Sequence, residues 1–300
     1  MNPYIKAVRA PFLVGSLMPV IIGTCLAFTE KYFSLPNFLL ALVGVASLHL
    51  AANLINDYYD AMGSDPMNLR VTPFSGGSRV IQDGELGAVT IFTMSIFFLV
   101  LSLTSAILLM YAGKPLVLLL GLLGLFAGWS YSAPPLQLMS RGWGEIVIFF
   151  AFGPLVTLGA YYVNTGSMSL EAFALGFPQG FLIMGVIWIN QFPDYQADKA
   201  AGKKNLVVRL GPGISRYLYC MIMILSFISV VLLVGIMKIH YLIMLAFISF
   251  PLVLRAIGIA WKEYLSYDAL IPAQALTIQT IIAQGLLISF GLFLRRLVHV

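Results

Sequence analysis

The chain has 300 residues, 60% of them hydrophobic and only 10% charged, with a formal net charge of +5 and a mean hydropathy of +0.94. A water-soluble domain carries about 25% charged residues, so this composition excludes one, and no nucleic-acid partner is expected. The two cysteines, Cys25 and Cys220, lie inside apolar runs without metal-binding spacing and read as packing residues.

In chain order, Met1 to Ala10 is short and mildly basic. The apolar run behind it is too long, and has too many successors, to be a cleaved signal peptide. Apolar stretches near the roughly 20 residues needed to cross a bilayer then recur to the end of the chain. They predict nine helices at 11–29, 37–60, 88–111, 115–133, 143–163, 170–192, 216–236, 240–260 and 272–294. Arg255 to Asp268 reads as a polar insertion between the last two. A β-barrel would show segments of about ten residues alternating in polarity, and none is present. The expected fold is an all-α polytopic membrane protein forming a single integral-membrane domain over residues 1–300, in contact with membrane lipid.

Basic residues set the expected orientation. With the N-terminus in the cytoplasm, that side receives twelve Lys and Arg residues and the far side five, which satisfies the positive-inside rule. Both acidic clusters of the chain then emerge on the cytoplasmic side of the cell (inner) membrane. These are Asn53-Leu-Ile-Asn56-Asp57-Tyr58-Tyr59-Asp60 and Asn190-Gln-Phe-Pro193-Asp194-Tyr195-Gln-Ala-Asp198, each at the end of a long apolar run. Carboxylates so placed are expensive unless compensated.

A shift of 137 residues superposes the clusters without a gap. Asn53, Asp57 and Tyr58 fall on Asn190, Asp194 and Tyr195; Asn68, Leu69 and Val71 on Asn205, Leu206 and Val208; Gly76, Ser78 and Arg79 on Gly213, Ser215 and Arg216. Nine identities in the 27 positions 53–79 read as a duplicated unit, about 1–137 and 138–274, in two parallel repeats plus a final helix. Parallel repeats differ from the inverted ones common in transporters.

Residues four apart share a helix face, so His49, Asn53 and Asp57 form one stripe with Asp60 a turn beyond, and Asn190, Asp194 and Asp198 form another. Pro193 predicts a kinked or ending helix. Such hard oxygen ligands suit Mg²⁺, which binds through a few carboxylates, waters and substrate phosphates. The catalytic candidates are Asp57, Asp60, Asp194 and Asp198, with Asn53 and Asn190 added as metal ligands. The basic loops behind the clusters offer Arg79, Lys203, Lys204 and Arg209 as diphosphate partners, and Ser75-Gly-Gly-Ser78 offers backbone N–H groups. Arg70, Lys199 and Arg216 read equally as topology signals, and His49 as a packed polar residue.

The two clusters resemble the aspartate-rich motifs of the UbiA superfamily of membrane prenyltransferases. Arg9-Ala-Pro11, Tyr131-Ser-Ala-Pro134-Pro135-Leu136 and Arg141-Gly-Trp-Gly144-Glu145 agree with that family. The run Gly202-Lys203-Lys204-Asn-Leu-Val-Val-Arg209-Leu-Gly211 is most similar to 1,4-dihydroxy-2-naphthoate polyprenyltransferases of menaquinone synthesis. The resemblance implies about nine helices around a central cavity. It also implies Mg²⁺-dependent transfer of a polyprenyl group from its diphosphate to an aromatic acceptor. By the same analogy Arg9 or Arg141 holds an acceptor carboxylate, and Tyr58, Tyr131 and Tyr195 stabilise an allylic cation through their π faces. Where many members carry an acid seven residues past Asp57, this chain has Ser64 followed by Asp65, which leaves the role of Asp65 open. Other acceptors (4-hydroxybenzoate, homogentisate, a tetrapyrrole, haem or a glycerol phosphate) remain alternatives. So do a cation-coupled transporter, which the basic loops beside the acids disfavour, and a non-catalytic membrane scaffold.

Overall fold

The computed structural model describes residues 2–298. Twelve α-helices carry the fold, and no strand occurs among the described residues. They are α1 (Pro3–Ala7), α2 (Val14–Thr29), α3 (Leu35–Asp60), α4 (Ala88–Tyr111), α5 (Leu116–Ser132), α6 (Gly144–Phe152), α7 (Pro154–Thr165), α8 (Leu170–Leu175), α9 (Phe177–Ala200), α10 (Leu206–Gly235), α11 (Phe250–Glu263) and α12 (Tyr267–Val298). Among the described residues, eight helical stretches are long and apolar enough to cross a membrane, while α5 is apolar but shorter. Large side chains such as Phe97, Leu122, Phe126 and Ile228 stay exposed on the outside. That is the arrangement expected where lipid, not water, is the solvent.

Breaks in the predicted spans have local causes. The stretch expected over 143–163 divides at Gly153, whose φ/ψ of −92°/−88° is not helical. The next stretch breaks at Gly176, and a Cβ at Gly153 would collide with the Gly176 carbonyl and the Gly180 backbone. Two bent helices thus cross backbone against backbone, a contact only glycine permits.

Three expected boundaries are corrected. Helix α9 continues through Pro193 to Ala200 instead of ending there. Helix α10 starts at Leu206, ten residues before the expected 216, and absorbs a break at Gly211 (φ 76°, ψ 155°) ahead of Pro212. The polar insertion is mostly helical, because α11 runs to Glu263. Its charged residues occupy one side of an amphipathic end, which hydropathy alone reads as a loop.

Helix α2 packs against α3, α7 and α12; α3 against α4 and α5; α9 against α6, α10 and α12. Buried polar pairs tie the inner helices: Gln179 Nε2 donates to Gln284 Oε1 (3.2 Å), and Gln284 Nε2 donates to Ser226 Oγ (2.8 Å). The helices enclose one deep cavity of about 290 Å³, and both acidic helix ends open into it.

Candidate active site

The acidic clusters occupy the last two to three turns of α3 and α9, and each is followed by a loop at the cavity mouth. The α3 end supplies Asn53, Asn56, Asp57 and Asp60; the α9 end supplies Asn190, Gln191, Asp194 and Asp198. Lys203, on the short loop after α9, joins them. Its Nζ lies 2.9 Å from Asp60 Oδ1 and 3.3 Å from Asp198 Oδ1. A second link runs from the first loop to the second helix, with Asn68 Nδ2 donating to Asp194 Oδ1 at 2.7 Å. The two ends therefore face each other across one pocket. Burial works against the Lys203 charge, but Asp60 and Asp198 outweigh it and hold the ammonium above its ordinary pKa.

The long loop 61–87 closes the site from above. Asp57 Oδ1 accepts from the Ser78 backbone N–H (3.3 Å), while its Oδ2 is buried without a hydrogen-bond partner. Gly77 adopts φ +73°, and a Cβ there would run into the Asp65 carboxylate, with Asp57 Oδ1 beside it. Glycine is required here on both counts, left-handed backbone and close approach. Asp65, whose role the sequence left open, lines the cavity. Burial, then repulsion from Asp60 and Asp57, pushes its carboxyl up to about 7.

Acids outnumber bases around this pocket: Asp60, Asp65, Asp194 and Asp198 line it, while Asp57 is buried just behind the lining. Of the five carboxylates, Asp57 meets Arg9 Nη1 at 3.8 Å, and Asp60 and Asp198 share Lys203. Among the described residues Asp65 and Asp194 pair with no basic side chain. Five carboxyl groups meet only two basic side chains in a poorly solvated place, so the acids outnumber the bases that could balance them. An unpartnered buried carboxylate oxygen adds to the cost. Divalent cations compensate such a surplus, and oxygen-only donors select Mg²⁺ over zinc-type metals. The described residues form no ready-made cluster of three acids around one point. Mg²⁺ fits that arrangement because it keeps waters and takes its remaining ligands from substrate phosphates.

The remaining sequence candidates divide in two. Arg9, Asn53, Asn190 and Tyr131 line the cavity. Arg9, in the left-handed region at φ 51°, rests its guanidinium 4.8 Å from the Phe12 ring centre. Asn190 Oδ1 is engaged by Gln274 Nε2 at 3.0 Å. The others lie outside the lining. Tyr58 packs on Tyr59 and Phe92, and Tyr195 sits under Lys199. Four basic candidates also lie outside it, and three of them bind backbone carbonyls. Arg79 donates to Asp65 O (2.6 Å), Arg141 to Pro135 O (2.6 Å), and Arg209 to Lys204 O (2.7 Å) and Arg141 O (2.6 Å). The fourth, Lys204, has an exposed side chain and a backbone N–H bonded to Ser140 O (2.8 Å). These arginines fasten the loops around the mouth.

Sequence reasoning missed a second polar layer. Glu145, fully buried, accepts from Gln191 Nε2 (2.9 Å) and the Leu206 N–H (3.4 Å). Asn205 caps α10 through the Val208 N–H (2.8 Å) and donates to Asp198 Oδ2 (2.8 Å). A buried acid in a short apolar helix was the available signal for Glu145.

Below the mouth the cavity is apolar and narrow-walled, with Gly124 against Leu48 and Gly128 against Ala52. Its shape is a polar head site on an oily channel. Comparison with known proteins agrees with this geometry. The model of the UbiA prenyltransferase family matches residues 16–275. The 1,4-dihydroxy-2-naphthoate octaprenyltransferase of Escherichia coli (strain K12) is 28% identical over 296 residues, 97% of this chain and 95% of that protein. In structure, the apo UbiA homolog from Aeropyrum pernix K1 superposes with a TM-score of 0.70 at 17% identity, covering 92% of this chain and 96% of that one. The UbiA homolog from Archaeoglobus fulgidus bound to GPP and Mg²⁺ gives 0.65 at 20% identity, with 96% and 99% covered. With a family model spanning most of its length and the same helical architecture around an acid-rimmed cavity, this chain belongs to the UbiA prenyltransferase family.

Proposed function

We propose that this membrane prenyltransferase moves a polyprenyl group from its diphosphate to 1,4-dihydroxy-2-naphthoate, with Mg²⁺ held by Asp57, Asp60, Asp65, Asp194 and Asp198. The observation that carries the reading is the single mouth shared by both acidic helix ends above an apolar channel. A diphosphate with a hydrophobic tail is the ligand such a site suits. The homolog bound to GPP and Mg²⁺ and the bacterial 1,4-dihydroxy-2-naphthoate octaprenyltransferase support the choice of metal and acceptor. Mg²⁺, when bound, supplies positive charge to the diphosphate oxygens as the leaving group departs. Lys203 and Arg9, the two bases at the mouth, add to that charge. The apolar channel walls exclude water that would otherwise capture an allylic cation. Tyr131, at the channel entrance, presents an aromatic ring where that cation develops. Arg9, which lines the cavity beside the acids, is the candidate partner of an acceptor carboxylate, and the excess of basic residues on this side supports a cytoplasmic mouth.

The test is an acceptor screen with purified protein, geranylgeranyl diphosphate and Mg²⁺, read by mass spectrometry. The expected product is the prenylated, decarboxylated naphthoquinol. Product with 4-hydroxybenzoate or homogentisate in its place reassigns the acceptor. Cation uptake into proteoliposomes without diphosphate release overturns the reading altogether.

A further inference from the structure

One polar side chain on the cavity wall has no place in the scheme above. His49 lies on α3 one turn before Asn53 and two before Asp57, so its Cα is about 6 and 12 Å along the helix axis from theirs. It is 8% exposed and borders the cavity, with the Phe152 ring edge-on at 4.9 Å. Its Nδ1 is 2.8 Å from Ser16 Oγ, and Ser16 Oγ is 3.0 Å from the Leu13 carbonyl. A carbonyl only accepts, so the single hydroxyl hydrogen of Ser16 goes to Leu13 O, and His49 Nδ1 carries the hydrogen donated to Ser16. This is the tautomer that satisfies both contacts at once, and with it Nε2 carries a bare lone pair. Among the described residues no protein group meets it. An acceptor left open on a residue that lines the cavity is available to a ligand's donor.

We propose that His49 Nε2 binds the ring hydroxyl of the aromatic acceptor and takes its proton during transfer, with Ser16 as the positioning residue that fixes the imidazole. The inference rests on the proposed function above and names the protein group that activates the acceptor. Arg9, at the same mouth, takes the carboxylate next to that hydroxyl. As the hydroxyl proton passes to Nε2, the ring carbon bearing the carboxylate forms the new C–C bond. The C–O bond to diphosphate breaks, and its electron pair leaves with the diphosphate. Loss of the carboxylate as CO₂ returns a pair to the ring, and Nε2 gives the proton back to the oxygen. His49 ends the cycle unchanged, and no oxidant or reductant is consumed.

The experiment compares wild type, His49→Leu and Ser16→Ala in three measurements. These are turnover of 1,4-dihydroxy-2-naphthoate, inhibition by its 1-O-methyl ether, and Mg²⁺-dependent binding of geranylgeranyl diphosphate. Removing a positioned base costs about 10²-fold or more, so His49→Leu is expected to lower kcat/KM for the hydroxyl acceptor by that factor. The methyl ether has no proton to donate, so its inhibition constant should stay within about twofold, as should the affinity for the diphosphate, which also reports folding. Ser16→Ala keeps the imidazole but frees its tautomer, and about a tenfold loss is expected, less than the loss of the base itself. Unchanged turnover in His49→Leu overturns the inference. So does an equal weakening of naphthoate and methyl ether, which marks His49 as packing only. Wild-type protein that prenylates a different acceptor class overturns the proposed function instead. If His49→Leu binds no diphosphate, Ser16→Ala decides alone: loss with the hydroxyl acceptor and none with the ether upholds the role.

Discussion

The two acidic helix ends carry matching residues at matching spacing, yet their surroundings differ. Asn68 and Asn205 occupy equivalent places behind Asp57 and Asp194. Asn205 stays within its own half, capping α10 and bonding Asp198, whereas Asn68 crosses the cavity to Asp194. Loop length explains the difference. The second end turns straight into α10 through residues 201–205, while the first is followed by residues 61–87 before α4 begins. The longer loop has the reach to lay Asp65, Gly77 and Ser78 over both ends. Like residues therefore do unlike work: one half builds the lid, and the other supplies Lys203, the cation between the halves.

The most severe way to break this pairing is to remove its paired acids. Asp57→Ala or Asp194→Ala is expected to cut turnover about 10³-fold, the upper range for losing one group that stabilises developing charge. Size-exclusion profiles should still show folded protein, and near-normal rates in either variant would refute the assignment. Lys203→Met separates metal from diphosphate. Taking an ammonium from between Asp60 and Asp198 should tighten Mg²⁺ binding, yet raise KM for the diphosphate about tenfold, a scale expected for one lost charged contact. A parallel fall in both affinities would place Lys203 in a purely structural role.

Proton competition sharpens the comparison further. The Asp65 carboxyl titrates near 7 because it is buried beside Asp60 and Asp57. Below that pH its proton must leave before a cation can bind, so Mg²⁺ affinity should climb as pH rises through about 7 and level off above it, by up to about tenfold per pH unit. Asp65→Asn should flatten the climb; a slope unaltered by that change would assign it to another group. The smallest contrast lies between the asparagines. Asn205→Ala removes a helix cap and should lower stability by about 1 kcal/mol with a minor effect on KM. Asn68→Ala should leave melting nearly unchanged while weakening diphosphate binding, and thermal melts beside KM values distinguish the two.

Much of the site was legible from local pattern. Residues four apart on a helix share a face in any fold, so Asn53 with Asp57 and Asn190 with Asp194 point together wherever the helices go. The same rule warns against Tyr58 and Tyr195. Each follows an acid by one residue, about 100° around the helix, and each faces away from the cavity. Arg79, Arg141 and Arg209 teach a different lesson. A guanidinium in a basic loop suits a phosphate or a carbonyl equally well by chemistry, and only the loop's path puts carbonyls of Asp65, Pro135 and Lys204 within reach. His49 was readable as polar and intramembrane, but its partner Ser16 lies on another helix, and its open Nε2 is a property of the cavity.

By itself the sequence determined that this chain is embedded in lipid, that two of its helices end in acids, and that hard oxygen donors dominate those two clusters. Those conclusions depend on composition and on the 3.6-residue period, which hold before any helix meets another. The tertiary structure decided which charges share a pocket, which arginines became fasteners and which polar atoms were left open to a ligand. Contacts between residues more than 100 positions apart follow from helix packing and loop length, and nothing in a local stretch of chain encodes the distance from Asp60 to Lys203.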